Sequence, residues 1–453
     1  MAKTELSTII LAAGHGTRMR SSLPKVMHQI AGRPMLHHVM ATAQALGSTR
    51  QVVVVGVQAP QVGDAAKAFD RDAAVAVQDP PQGTGDAVKV AMPQLEGAQG
   101  IAIILYADTP LITEETLRQL IDKVESQADV AVLGFEAEEP GAYGRLILGR
   151  DGDLERIVEA KDASPDELAV TLCNSGVMAV RIESLREYLP QITNENAKKE
   201  YYLTDLIGLV TGAGKRAAVV TGSSHEVLGV NNRQELSVAE SVFQDRCRAR
   251  MMEDGVTLVD PQTVYFSYDT LIASDVTVAP NVVFGPGVVI ETGARIEAFS
   301  HLEGCIVREG AGVGPFARIR PGSDLGPGAK VGNFVETKKA VLGAGAKVSH
   351  LTYLGDAKVG AEANIGAGTI TCNYDGFGKF VTEIGSGAFV GSNSALVAPV
   401  KIGDGAYIGS GSVVTKDVAP DALAVGRGRQ VEKAGWAASF RARRIAETGD
   451  KSS

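Results

Sequence analysis

The chain has 453 residues, 45% of them hydrophobic, and a formal net charge of −9. That length exceeds a single core and calls for two or three domains. Charge spread this thinly argues against a non-specific nucleic-acid binder, so any phosphate sites are local basic pockets. No apolar run approaches the roughly 20 residues a bilayer-spanning helix needs. The N-terminal stretch MAKTELSTIILAAG has too short an apolar core, and no small-residue cleavage site, for a signal peptide. Cys173, Cys247, Cys305 and Cys372 stand far apart with no CxxC pairing, which fits four reduced thiols in a cytoplasmic protein.

From Ser7 to about Asn231, apolar strand segments alternate with helical ones. The strands are expected at 8–13, 51–56, 101–107, 129–135 and 175–180, with helices such as 34–46 and 113–125 between them. This alternation predicts a Rossmann-like α/β domain with a mainly parallel sheet over 1–233, whose ligands bind where strands end and loops begin. Over 234–254, Leu236, Ala239, Phe243, Cys247 and Met251 fall on one helical stripe that excludes Arg246, Arg248 and Arg250, the pattern of an amphipathic linker helix.

A different rhythm fills 255–453. Ile272, Val278, Phe284, Ile290, Ile296 and Leu302 recur at hexad spacing, and after a one-residue slip the series continues through Val307, Val313, Ile319, Leu325, Val331 and Thr337. It runs on through Leu342, Val348, Leu354, Val359 and Ile365, and resumes from Ile384 to Val414. A fixed short period marks a solenoid whose rungs bury their anchors against one another. The prediction is a parallel β-helix with three rungs per turn and one large break, Ile370 to Glu383. A tail with Arg427, Arg429, Trp436 and an Arg-rich end follows.

In the first half, the strand at 8–13 runs into Gly14-His15-Gly16-Thr17-Arg18, with Pro24-Lys25 beyond. A glycine-rich loop after a first strand lets backbone N–H groups approach phosphates, although an ordinary tight turn competes for GxGTR alone. The longer string LAAGHGTRMRSSLPKV resembles the signature of the sugar-nucleotide pyrophosphorylases, and the likeness extends over 5–233. It implies that Leu11, Ala12, Ala13, Gly14, Arg18 and Lys25 hold a nucleoside triphosphate. It further implies that Gln78, Gly83 and Thr84 read its base, and that Tyr106 and Asp108 belong to a strand-end motif whose aspartate binds Mg2+. Gly144, Glu159 and Asn174 match sugar contacts, and Asn231 the second metal ligand. Ala107 stands where the family commonly has glycine. A capping role competes for Asp108, and Arg145 and Lys161 read equally well as surface charges.

In the second half, the register stacks Arg320 and Lys338 on one face, a like-charge pair that is unfavourable unless an anion joins it. His350 takes the second position after Val348, one coil before Ala367, and neither is an inward position. An outward histidine is a candidate general base. SHLTYLGD followed by NIGAGTITCNYDG is similar to the acetyltransferase half of the bifunctional N-acetylglucosamine-1-phosphate uridylyltransferase / glucosamine-1-phosphate N-acetyltransferase family. The resemblance implies a left-handed β-helix in a homotrimer, with acetyl-CoA bound between neighbouring helices. It implies that Arg320, Lys338, Tyr353 and Asn364 bind the amino-sugar phosphate and that His350 takes the amine proton. Ala367, Asn373, Tyr374, Ser392, Ser410 and Arg427 would line the coenzyme site. Ser349 and Ser410 depart from the family's usual glycine and alanine. The small-molecule partners so implied are glucosamine 1-phosphate, N-acetylglucosamine 1-phosphate, UTP and acetyl-CoA, with no nucleic acid or membrane. A single-activity pyrophosphorylase with a regulatory β-helix and a non-enzymatic scaffold are the competing readings.

Overall fold

The structure, a computed structural model, describes residues 4–14 and 16–448; His15 of the glycine-rich motif lies outside them. The chain divides into two compact units, Met1–Arg250 with Tyr265–Asp269, and Met251–Val264 with Thr270–Ser453.

The first unit is built on a twisted sheet ordered Ala217–Thr221, Val130–Glu136, Leu172–Arg181, Ile101–Tyr106, Leu6–Ala12, Arg50–Gly56 and Ala74–Gln78. All neighbours are parallel except Leu172–Arg181, which runs antiparallel to both of its partners. The central strands read as continuous apolar runs because both faces are covered. Ile10, Val53 and Ile103 enter one core cluster, and Ile9, Val52 and Ile104 the other. The helices form as expected at Met35–Ala45 and Glu114–Ser126, the second capped by the Thr113 hydroxyl accepting from the Thr116 N–H. Three strands escape the sequence reading: Ala74–Gln78, Ala217–Thr221 and Arg145–Leu148, the last forming a hairpin with Leu154–Val158. Arg145 also departs from a surface charge. It is 3% exposed and donates to the carbonyls of Tyr143 and Gly141, tying down the loop it follows.

The helix Arg233–Glu253 buries Ala239, Cys247 and Met251 of the expected stripe. Arg248 is buried too, with its guanidinium donating to Asp245, although the stripe excludes it.

In the second unit, two-residue strands stack in parallel ladders on three faces of a β-helix. The anchors from Val278 to Val414 are buried as the hexad requires, and Val335, Thr352 and Thr369 fill the second inward position. The array begins earlier than its first clear hexad, with Thr257–Leu258 pairing to Thr277–Val278. The break is also narrower than the sequence suggests. Ile370–Cys372 and Thr382–Ile384 both pair within the array, and only the stretch between them leaves it, pinned by an antiparallel bridge between Tyr374 and Lys379.

Candidate active sites

The parallel strands Leu6–Ala12, Ile101–Tyr106 and Ala74–Gln78 end at the same edge of the sheet, so the loops after them converge. Between these loops lies a cavity of about 590 Å³. Its walls include Leu11, Ala12, Ala13, Gly14, Lys25, Gln78, Gly83, Thr84, Tyr106, Asp108 and Glu159. Two glycines explain how the backbone gets so close. Gly16 has φ +59°, and a Cβ there would lie 2.5 Å from the Lys25 Cβ. Gly83 has φ +112°, and a Cβ would lie 2.6 Å from the Tyr201 carbonyl oxygen. Any side chain at either position would push the loop off its neighbour.

Charge at the cavity is organised around Lys25. Its ammonium pairs with the Asp108 carboxylate at very short range and donates to Asn231 Oδ1 at 3.3 Å, while Arg18 Nη2 donates to the same oxygen at 3.0 Å. Asp108 and Asn231 come from segments far apart in sequence, and the Val230 N–H donation to the Asp108 carbonyl at 2.9 Å holds them together. Two oxygen donors thus face one spot that already attracts cations. That donor set fits Mg2+, a hard ion that takes one or two protein oxygens and keeps waters and substrate phosphates as its other ligands.

Around this centre, Gln78 Nε2 donates to the Gly83 carbonyl at 3.0 Å and to Asp86 at 2.8 Å, which fixes its amide at the cavity wall. Burial raises the Tyr106 hydroxyl and keeps it neutral, with Thr84 bonded to it. Burial also raises the Glu159 carboxyl, offset by Lys198 and by the Thr204 hydroxyl donating at 3.3 Å. Asn174 and Gly144 meet through the Asn174 N–H donating to the Gly144 carbonyl at 2.8 Å. Neither is among the residues lining the main cavity, and nor are Arg18 and Asn231. Lys198, Glu200 and Tyr202 do line it and escaped the sequence reading. The Tyr202 hydroxyl is buried beside the Lys198 backbone.

The second unit presents its candidates on open faces of the solenoid. Val348 pairs with Ile365, Ile365 with Val390, and Val390 with Ile408. The residues two positions on, His350, Ala367, Ser392 and Ser410, therefore form one column, stacked at about 4.8 Å per coil. Arg427 closes its end by donating from Nη1 to the Ser410 carbonyl at 2.6 Å. Asn333 stands one coil before His350 in the same register, and its side-chain oxygen meets His350 Nδ1 at 2.7 Å. A carboxamide oxygen only accepts, so this contact selects a ring with its proton on Nδ1, and in the neutral form of that ring the lone pair is on Nε2. Asn333 was not singled out from the sequence.

Around the corner at Leu351 lies the phosphate-type face. Arg320 and Lys338 stack as expected, with the Arg320 N–H donating to the Thr337 carbonyl at 2.9 Å, and Arg320 Nη1 pairs with Glu336 at 2.7 Å. Lys379, delivered by the short hairpin, joins them; its ammonium, and next the Arg320 guanidinium, hold the Lys338 ammonium below its ordinary value. Tyr353 and Asn373 both reach the space over Gly355, and Asn373 Nδ2 donates to Asp356 at 2.5 Å. Tyr374 is 60% exposed, its hydroxyl donating to the Gly376 carbonyl. Asn364 sits on the His350 face, paired with Lys347 and Phe389.

Fold and residues together define a transferase with two dissimilar halves, a nucleotidyltransferase domain followed by hexapeptide repeats. Residues 8–191 match the MobA-like NTP transferase domain, and residues 382–416 match the bacterial transferase hexapeptide repeat. Bifunctional protein GlmU of Maricaulis maris is 58% identical over 447 residues, 99% of this chain and 98% of its own length. The protein of the same name from Paramagnetospirillum magneticum is 52% identical over 453 residues, 100% of both chains. That of Parvibaculum lavamentivorans is 56% identical over 436 residues, 96% of both. The chain belongs to the family of bifunctional GlmU proteins.

Proposed function

We propose that the chain carries out two consecutive steps of UDP-N-acetylglucosamine synthesis. The second unit acetylates glucosamine 1-phosphate from acetyl-CoA, and the first couples the product to UTP with Mg2+. The observation that carries this reading is the juxtaposition at one corner of the solenoid: a histidine with its basic nitrogen free, flanked by stacked cations on the next face.

In the first step, Arg320, Lys338 and Lys379 hold the sugar phosphate while Tyr353 and Asn364 orient the ring. The amine nitrogen attacks the thioester carbonyl, an N–C bond forms, and the C–S bond breaks. The proton lost from the amine goes to His350 Nε2 and passes from there to the departing sulfur, so coenzyme A leaves as its thiol. Asn333 positions that histidine through Nδ1. Ala367, Asn373, Tyr374, Ser392, Ser410 and Arg427 line the coenzyme, whose phosphates suit the arginine.

In the second step, a phosphate oxygen of N-acetylglucosamine 1-phosphate attacks the α-phosphorus of UTP, and the bond to pyrophosphate breaks. No protein nucleophile is needed, so the chain contributes position and charge neutralisation. Mg2+, held by Asp108 and Asn231, would supply neutralisation of the triphosphate. Lys25 and Arg18 meet phosphate oxygens, Gln78, Gly83 and Thr84 hold the base, and Gly144, Glu159 and Asn174 hold the sugar.

Residues 1–233 thus form the uridylyltransferase domain, 234–254 the helical connection and 255–453 the acetyltransferase domain. The exposed, one-walled character of the second site supports a homotrimer in which a neighbouring β-helix completes it. Four free cysteines support a cytoplasmic enzyme. The test is to supply glucosamine 1-phosphate, acetyl-CoA and UTP with Mg2+, omitting each in turn. UDP-N-acetylglucosamine is expected only with all of them. Product from N-acetylglucosamine 1-phosphate alone, with none from glucosamine 1-phosphate and acetyl-CoA, would establish the single-activity pyrophosphorylase instead.

A further inference from the structure

The first unit contains another cavity, of about 310 Å³, that shares no lining residue with the nucleotide cavity. One wall is 110–113, the stretch directly after Asp108 and Thr109, and another is the helix Arg233–Glu253. Arg33, Arg246 and Arg250 contribute guanidinium groups to it, and no carboxylate lines it. None of the three forms an ion pair among the described residues.

This concentration of positive charge stands out in a chain of net charge −9. Arg246 and Arg250 are one helical turn apart, a spacing at which like charges repel. Arg33 is held by stacking, its guanidinium carbon 3.7 Å from the Tyr268 ring centroid, so its fork of donors is placed without being consumed by a carboxylate. Arg246 Nη1 donates to the Leu111 carbonyl at 2.5 Å, which leaves its other donors unassigned. His38, also on the wall, is drawn down to about 4 by burial and is neutral at physiological pH. An unneutralised set of planar donors around one cavity is what recognises a phosphate group.

We propose that this cavity binds a small phosphate-bearing anion through Arg33, Arg246 and Arg250, and that its occupancy is felt at Asp108. The path is short. Leu111 packs with Val230 and Ala239 in a small core, and Val230 joins Asp108 by the backbone hydrogen bond while preceding Asn231. Anion capture needs no assumption about the metal; its effect on metal affinity rests on Asp108 and Asn231 being the metal ligands.

Inorganic phosphate titrated into the full-length protein by calorimetry, without divalent ions, tests capture. Arg33→Gln and Arg250→Gln should each weaken one phosphate site by about tenfold or more, while Lys25→Gln leaves that site untouched. Thr42→Glu, which places a carboxylate on the cavity wall, gives an independent variant should an arginine substitution unfold the chain, and should abolish the same site. Phosphate binding that all three cavity substitutions leave unchanged, or that only Lys25→Gln removes, overturns the assignment. Coupling is read from the Mg2+ concentration giving half-maximal uridylyl transfer, which phosphate should shift by about fivefold in the wild type and not in Arg250→Gln. An equal shift in both proteins rejects the coupling. A metal response unaltered by Asp108→Ala would reject the metal ligands and leave capture standing.

Discussion

The two candidate sites are made in opposite ways. In the first unit, loops from three parallel strands surround a volume of about 590 Å³, and Lys25 on its wall is bonded to Asp108 and to Asn231 from a distant segment. In the second, the groups lie in columns on the outside of a solenoid, with His350 and Tyr374 exposed. A cavity walled by converging loops can draw its specificity from several sides at once. A column on a flat face supplies direction and spacing but only one wall.

The largest expected effect separates the halves at the column. His350→Ala should lower acetyl transfer by about 10²-fold or more and leave uridylyl transfer intact; retained release of free thiol from acetyl-CoA in this variant would remove the histidine from the base role. Asp108→Ala should do the reverse, with pyrophosphate release falling by about 10²-fold at limiting Mg2+, and an unaltered metal dependence would break the contrast between the sites. Lys379→Ala should raise KM for glucosamine 1-phosphate by about tenfold with little change in kcat, since one cation of several is lost at a rim; an unchanged KM would confine phosphate capture to Arg320 and Lys338. The smallest effect is expected for Asn333→Ala, where kcat for acetyl transfer should drop by about fivefold to tenfold and its pH profile should move as the ring loses its fixed tautomer. A pH profile identical to wild type would sink the positioning role.

Much of the second unit was legible because a solenoid obeys a count. Once Val348, Ile365, Val390 and Ile408 are recognised as anchors, the column of His350, Ala367, Ser392 and Ser410 follows by adding two. Asn333 was hidden because a polar residue at an edge looks the same whether it meets water or an imidazole. Lys379 was hidden because a hairpin, outside the period, brings it back to Lys338. The first unit shows the same division. Its strands announce themselves as apolar runs, yet Ala74–Gln78 is short and its Val77 faces solvent, so AVAVQ carried little signal. Lys198 and Tyr202 reach the nucleotide cavity from an irregular stretch that no periodicity describes. The burial of Arg145 and Arg248 was hidden because their guanidinium groups meet partners supplied locally.

The end of the solenoid has a kinetic consequence. Coils joined only to their neighbours open most readily from a terminus, because the last rung has half the contacts of an inner one. Leu423–Ala424 is that last rung on its face, largely exposed, and Arg427 lies just beyond it, whereas His350 sits among coils stacked on both sides. Amide exchange should therefore rise from Val348 toward Ala424. On the acetyl transfer we propose, grip on the coenzyme's charged end would be set at the fraying tip, while the proton-transfer geometry would be kept in the interior of the stack. Product release can loosen the first without disturbing the second.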